Sequence, residues 1–299
     1  MPAHTDLSAH VKGSIPALIT PFRNGIVDER GFQAIVERQI AEGSRALVPC
    51  GTTGESPTLS LEEHVRVVEL CVEAAAGRVP VIAGAGSNNT AHAVELAHRA
   101  KQARADAVLV VAPYYNKPSQ DGLFAHFKAI NDAVEIPIFV YNVPTRTIVD
   151  ISVETMGRIA QLPNVVGCKD ASSDMSRVAR HKALCGDRFI QLSGDDGSAL
   201  GFNAGGGVGC ISVTANVAPK LFAQMQDATL QGAFDSARQL DAKMAALHKA
   251  LFVESSPAPT KYACSLLGLC SEEVRLPIIP CSDGAKTVIR AAMTQAGLI

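Results

Sequence analysis

Residues 165–173 read VVGCKDASS, and Lys169 closes an apolar run of the kind that is buried on both faces. An ammonium group there must be paired, must reach water, or must lose its proton. Asp170 is adjacent, but successive strand side chains point to opposite faces, so a partner would come from Asp195 or Asp196 on the next apolar segment. The other reading is a lysine partly withdrawn from water. Desolvation favours the neutral amine, a nucleophile that can attack a carbonyl and form an imine. Position and residue type alone leave both readings open. Tyr141 and Thr53 carry hydroxyls of the sort that move protons on and off a carbinolamine. A core tyrosine with a satisfied hydroxyl is the plainer account of Tyr141. Arg146, in NVPTRT, suits a carboxylate bidentately, or is an exposed loop arginine.

These residues sit at the ends of short apolar segments at 14–22, 46–50, 79–86, 107–113, 136–144, 165–172, 189–196 and 207–215. Each lacks period-two alternation and ends in turn or polar residues, the pattern of parallel strands covered on both sides. Amphipathic helices are expected between them. Phe32, Ile35, Val36 and Ile40 keep helical spacing before Gly43. Ser60 and Glu63 form a capping box ahead of Leu61, Val65, Val68 and Val72. Similar stripes run over 90–104, 123–134, 153–162 and 175–184. This alternation predicts an α/β fold, a (β/α)₈ TIM barrel, with a doubly wound open sheet as the alternative. Residues 219–252 read helical almost throughout, ESSPAP (254–259) as a break, and 262–267 and 285–296 as further helices. The expected division is a barrel over 1–230 and a C-terminal helical domain over 231–299. In a barrel the chemistry lies at the C-terminal strand ends, here GTTGES, PYYNKPS, YNVPTRT, KDASS, SGDD and ISVTAN.

Composition narrows the function. A net charge of −2 with no Trp and few aromatics argues against a nucleic-acid or anionic-lipid partner. No apolar run approaches a membrane span, and MPAHTDLSAHVKGS has no signal-type apolar core, so a cytoplasmic protein is expected. Eight cysteines without a C-x-x-C pair read as reduced core thiols, Cys168 among them, rather than disulfides or a zinc site. His64, His92, His98 and His126 fall on helical segments as solvated or half-buried residues, and no metal site is expected. GTTGES lacks the Lys-Ser/Thr of a phosphate loop, and GAGSNN lacks the third glycine of a dinucleotide fingerprint. GGGVG (205–209) supplies positive φ angles or close backbone approach.

Seven segments in order, ALITPF, GTTGES, APYYNKPSQDGLFAHF, YNVPTRT, GCKDAS, LSGDD and ISVTANVAP, resemble the dihydrodipicolinate synthase family. That family belongs with the pyruvate-dependent class I aldolases and lyases, N-acetylneuraminate lyase being a relative. The resemblance runs from about residue 13 to the C-terminus. It implies a (β/α)₈ barrel with a C-terminal helical domain, assembled as a homotetramer, a dimer of dimers. It places the Schiff-base lysine at Lys169 and the proton-shuttling tyrosine at Tyr141. Thr53 falls on the pyruvate-carboxylate contact, Thr52 on the relay threonine and Tyr115 on the tyrosine supplied across the dimer interface. Ile211 matches a backbone contact near pyruvate, Gly194 a residue close to substrate, and Arg146 the arginine for the second substrate's carboxylate. The implied reaction condenses pyruvate with L-aspartate-4-semialdehyde. The lysine imine is the electron sink, so no metal or organic cofactor is implied.

Ser56, His64, Asn88 and Tyr114 agree with the family's inter-subunit site for feedback inhibition by lysine. Two positions depart from it. Leu61 stands where a polar residue is frequent, and His92 where sensitive members carry Glu. Losing that carboxylate removes a charge-assisted contact of about 1.5–3 kcal/mol, so weak or absent inhibition is expected. The rival within the class is another pyruvate aldolase or lyase, acting on a 2-oxo sugar acid or 4-hydroxy-2-oxoglutarate. Arg146 and the paired threonines of GTTGES favour the synthase. A non-catalytic barrel would require a decayed site, yet Lys169, Tyr141 and Thr53 are all present.

Overall fold

The structure, a computed structural model, describes residues 7–299. The first six residues of the N-terminal stretch read above lie outside it. A short helix α1 (Leu7–His10) leads into β1 (Gly13–Pro16), and the hairpin β2 (Phe22–Arg23) and β3 (Ile26–Val27) follows. That hairpin turns on Asn24 and Gly25, both at positive φ, the requirement of a type I′ turn. The Asn-Gly pair is a sequence signal for it that the strand assignment above passed over.

Strands and helices then alternate: α2 (Glu29–Ala41), α3 (Leu61–Ala75), β4 (Ile82–Gly84), α4 (Thr90–Gln102), β5 (Ala107–Val111), α5 (Gln120–Ala133) and β6 (Ile138–Asn142). The short α6 (Pro144–Thr147) and α7 (Val153–Ile159) precede β7 (Val165–Asp170), α8 (Ser176–Cys185), β8 (Ile190–Ser193), α9 (Ala199–Ala204) and β9 (Gly209–Ser212). The capping box expected of Ser60 and Glu63 is present at α3. The seven-stranded sheet has the order β1-β9-β8-β7-β6-β5-β4, with parallel pairing throughout.

Residues 46–50, read as a full strand, join this sheet only by parallel bridges, Val48 to Ala17 and Leu47 to Val81. The reason is local: Pro49 has no N–H, and Cys50 sits at φ 55. The bridges nevertheless close the ring between β1 and β4, giving the eight-membered (β/α)₈ barrel.

Side chains alternate across its wall. Ile15, Val48, Ile82, Leu109, Phe139, Tyr141, Leu192 and Ile211 fill the interior. Leu47, Ala83, Val108, Val110, Val140 and Cys168 face the surrounding helices. In the 205–209 run, Gly206 takes φ +110, and a Cβ on Gly209 would lie 2.5 Å from Gly13 N, so both expected uses of glycine occur.

The C-terminal helices differ in detail from the sequence reading. The stretch 219–252 is two helices, α10 (Pro219–Leu230) and α11 (Phe234–Ala250), parted at Gly232 with φ +73. ESSPAP is a break only to Pro257, because α12 (Ala258–Leu266) starts inside it with Pro259 in its first turn, where a missing N–H costs nothing. The last helix is α13 (Asp283–Gln295), and α11 packs on both α10 and α13. None of the described helices is long and apolar enough to cross a membrane.

Candidate active site

Register brings the two central residues together. Tyr141 on β6 pairs with Lys169 on β7, and both point into the barrel. Lys169 is buried, and its Nζ lies 4.2 Å from the Tyr141 ring centroid. The ring's negative face is the kind of surface that attracts a cation at this distance.

The pairing alternative for Lys169 fails on geometry. Among the described residues, its three candidate carboxylates are engaged elsewhere. Asp170 faces outward, accepts from Arg177 Nε at 2.9 Å and from Ser172 N at 2.8 Å. Asp195 accepts from Ser198 N at 3.0 Å. Asp196 accepts from Ser212 Oγ, from Val213 N at 3.0 Å and from Thr214 N at 3.2 Å.

The strand ends are fixed by the same outer network. Arg177 also donates to Asp150 at 3.2 Å and to Ile151 O at 2.6 Å, and Asn142 Nδ2 donates to Asp150 at 2.7 Å. Asn142 and Asp170 are the residues immediately after Tyr141 and Lys169, so this clasp holds both backbones from outside. Sequence reading missed it; acidic and basic residues after a strand look like solvated turns. Space for the lysine comes from Gly194 at the end of β8. A Cβ there would fall 2.9 Å from Lys169 Cε and 2.7 Å from Ala171 Cβ.

A cavity of about 400 Å³ opens beside Tyr141. Thr52, Tyr141 and Arg146 line it, together with Ser56, Leu61, His64, His92 and Tyr114. Part of each expected set, catalytic and inhibitor, therefore shares one space. Lys169, Thr53, Gly194 and Ile211 are not on its wall. Thr53 is buried beside Thr52, and Ile211 lies in the barrel interior on β9. Asn88 is half-buried outside the cavity, its carbonyl accepting from Asn116 Nδ2 at 2.8 Å. Tyr115 is 93% exposed and held at φ 69, so its ring projects away from its own barrel. Arg146 is exposed on α6 and has no carboxylate partner among the described residues.

His64 is buried rather than half-solvated, and burial pushes it down to about 4. His126 is buried too and likewise pushed down to about 4, while His92 and His98 are exposed. The eight cysteines are free thiols, and six are buried, Cys168 included.

Residues 10–296 match the model of the dihydrodipicolinate synthetase family. The chain belongs to the dihydrodipicolinate synthetase family. Within that family it is 61% identical over 288 residues to the 4-hydroxy-tetrahydrodipicolinate synthase of Parvibaculum lavamentivorans, covering 96% of this chain and 99% of that one. It is 63% identical to the synthase of Hyphomonas neptunium, covering 96% and 98%. The chloride-inhibited dihydrodipicolinate synthase of Acinetobacter baumannii, solved with pyruvate, superposes with a TM-score of 0.94 at 44% identity, over 97% of this chain and all of that one.

Proposed function

We propose that the chain is a Schiff-base-forming lyase that condenses pyruvate with L-aspartate-4-semialdehyde to 4-hydroxy-tetrahydrodipicolinate, in lysine and diaminopimelate biosynthesis. One observation carries the chemistry: a buried lysine pointing into the barrel, against a tyrosine, with its three candidate carboxylates, Asp170, Asp195 and Asp196, engaged elsewhere. The 4-hydroxy-tetrahydrodipicolinate synthases at about 60% identity supply the substrates.

Lys169 Nζ attacks the keto carbon of pyruvate, and water leaves as the imine forms. Tyr141, Thr52 and Tyr115 pass the protons that the carbinolamine gains and loses. Thr53 holds the pyruvate carboxylate, near Gly194 and the backbone of Ile211. Loss of a methyl proton gives the enamine, and its carbon forms a bond to the semialdehyde carbonyl. Arg146, with no carboxylate partner among the described residues, holds that substrate's carboxylate. The substrate amine then attacks the imine carbon and displaces Lys169, which leaves as the free amine with closure of the ring. The barrel over 1–230 supplies this chemistry, and 231–299 forms a helical domain.

The same reading makes the enzyme a homotetramer, a dimer of dimers, with Tyr115 entering a neighbouring copy; its exposure and left-handed backbone support that role. Eight free thiols suit a reducing cytoplasm.

Treatment with pyruvate and borohydride, followed by digestion and mass mapping, is expected to place a reduced pyruvyl adduct on Lys169. An aldehyde panel is expected to favour aspartate semialdehyde. An adduct with poor semialdehyde turnover would favour the rival aldolase, and an adduct on another lysine would overturn the mechanism.

A further inference from the structure

Lys261 lies on α12, outside the barrel, and its side chain is 0% exposed. Its Nζ stands 2.5 Å from Glu55 Oε1 as an ion pair, donates to Glu273 O at 2.8 Å and lies 3.9 Å from the Phe22 ring centroid. Burial pushes Lys261 below the usual amine range, and the Glu55 charge opposes that. A lysine so placed needs its partner, since an unpaired buried ammonium is strongly destabilising.

Glu55 belongs to the GTTGES loop, two residues after Thr53. It is held at φ 56, a left-handed conformation that a glutamate keeps only where its surroundings impose it. Its second oxygen accepts from Arg275 N at 2.9 Å. The Arg275 guanidinium donates to Thr58 O at 2.9 Å and to both oxygens of Glu63. On the barrel side, Thr20 Oγ1 donates to Gly54 O at 2.7 Å. The C-terminal region thus grips this loop at Glu55, which precedes the 3₁₀ turn Ser56–Thr58, and at Thr58, its last residue. Apolar packing is non-directional and would tolerate several loop conformations. A charge with fixed acceptors selects one.

We propose that Lys261 is a positioning residue for the keto-acid half of the reaction: paired with Glu55, it fixes the loop that presents Thr52 and Thr53 to the pyruvate carboxylate. This rests on the pyruvate reading given above. Lys261 touches no substrate; it acts through Glu55.

Linkage is reciprocal, so if the pair holds the loop in its pyruvate-binding form, pyruvate must also hold the pair. Hydrogen exchange on the wild-type protein reads this directly. Amides of 51–58 and of 258–266 are expected to slow together once pyruvate is trapped on Lys169 by borohydride. Slowing at 51–58 with none at 258–266 overturns the proposal.

Lys261→Met keeps the chain length and removes the charge. It is expected to raise the KM for pyruvate about tenfold, with kcat and the KM for the aldehyde changed far less. Because it strands the Glu55 charge, Glu55→Gln/Lys261→Met is measured beside it. The double variant is expected to regain thermal stability while keeping the raised pyruvate KM. A stable double variant with the wild-type pyruvate KM overturns the proposal and leaves the pair a purely structural contact. Absence of any borohydride adduct in the wild-type enzyme would instead sink the pyruvate reading, so the two failures are distinguishable.

Discussion

The two sides of the barrel mouth are built by opposite means. On one side, β6 and β7 place Tyr141 and Lys169 by strand register alone, backed by the Asn142, Asp150, Asp170 and Arg177 clasp. On the other, residues 46–58 carry Thr52 and Thr53 on backbone that pairs only through isolated bridges and twice turns left-handed, at Cys50 and Glu55. There the conformation depends on a few side chains, several from the C-terminal region. The difference suits the roles proposed for the two sides. A covalent nucleophile needs one fixed direction of attack, which a ladder provides. A carboxylate contact needs donors from a turn, which a ladder cannot provide. The strand side should therefore control the chemical step and the loop side substrate affinity.

The sharpest way to break that division is Lys169→Ala. Turnover is expected to fall by at least about 10⁴-fold with loss of the borohydride adduct, while the fold persists. Turnover above about a hundredth of wild type would take β7 out of the chemistry. Next comes Tyr141→Phe, which keeps the ring in the barrel interior and removes only the hydroxyl. The expected loss is about 10²–10³-fold in kcat, with little change in the pyruvate KM. A loss confined to KM would move Tyr141 to the binding side of the comparison.

The placement of the strand side was legible in the sequence, whereas for the loop side the candidate residues were legible and the contacts that hold them were not. Strand alternation alone separates Lys169 from Cys168 and Asp170, and the structure places Cys168 and Asp170 outside the barrel. Apolar runs and helical stripes likewise predicted most elements to within a few residues. Asp196, in contrast, read as a partner for Lys169, but backbone N–H groups of β9's exit turn hold it. Those donors leave no trace in residue types. Lys261 drew no reading at all, because a pair separated by more than two hundred residues has no local signature.

Both sides hold a buried histidine, which allows their stability to be compared by pH. His64 lies on the loop side, at the cavity, and His181 on the strand side, on α8; both are pushed down to about 4, chiefly by burial, as is His126. An unfolded histidine titrates near 6.5, so below that value the unfolded chain binds more protons and the native state loses stability as pH falls. Above about pH 6.5 the three contributions are fully present. They decline through the window down to about pH 4, by up to about 3 kcal/mol for each histidine. Urea unfolding at a series of pH values should show that slope, and His64→Asn should remove one histidine's share of it. A curve flat between about pH 7 and 4.5 would contradict the assignment.

The smallest expected effect concerns the part of the cavity lined from α3, α4 and the segment after β5. Leu61 and His92 line it beside Ser56, His64 and Tyr114. An amino-acid effector needs a carboxylate for its side-chain ammonium, and position 92 supplies an imidazole instead. Glu95 is 3.6 Å from His92 Nδ1 and 3.9 Å from the Arg99 guanidinium, which already offsets its charge. Burial keeps His64 neutral at physiological pH, so it adds no charge of either sign. Lysine is therefore expected to inhibit weakly, and His92→Glu to tighten inhibition by about 1.5–3 kcal/mol, roughly 10- to 100-fold. Steady-state inhibition constants for the two proteins give the answer. A micromolar constant in the wild-type enzyme would mean that the effector's amine finds its acid elsewhere, and the loop side would then hold a second anchor that position 92 does not control.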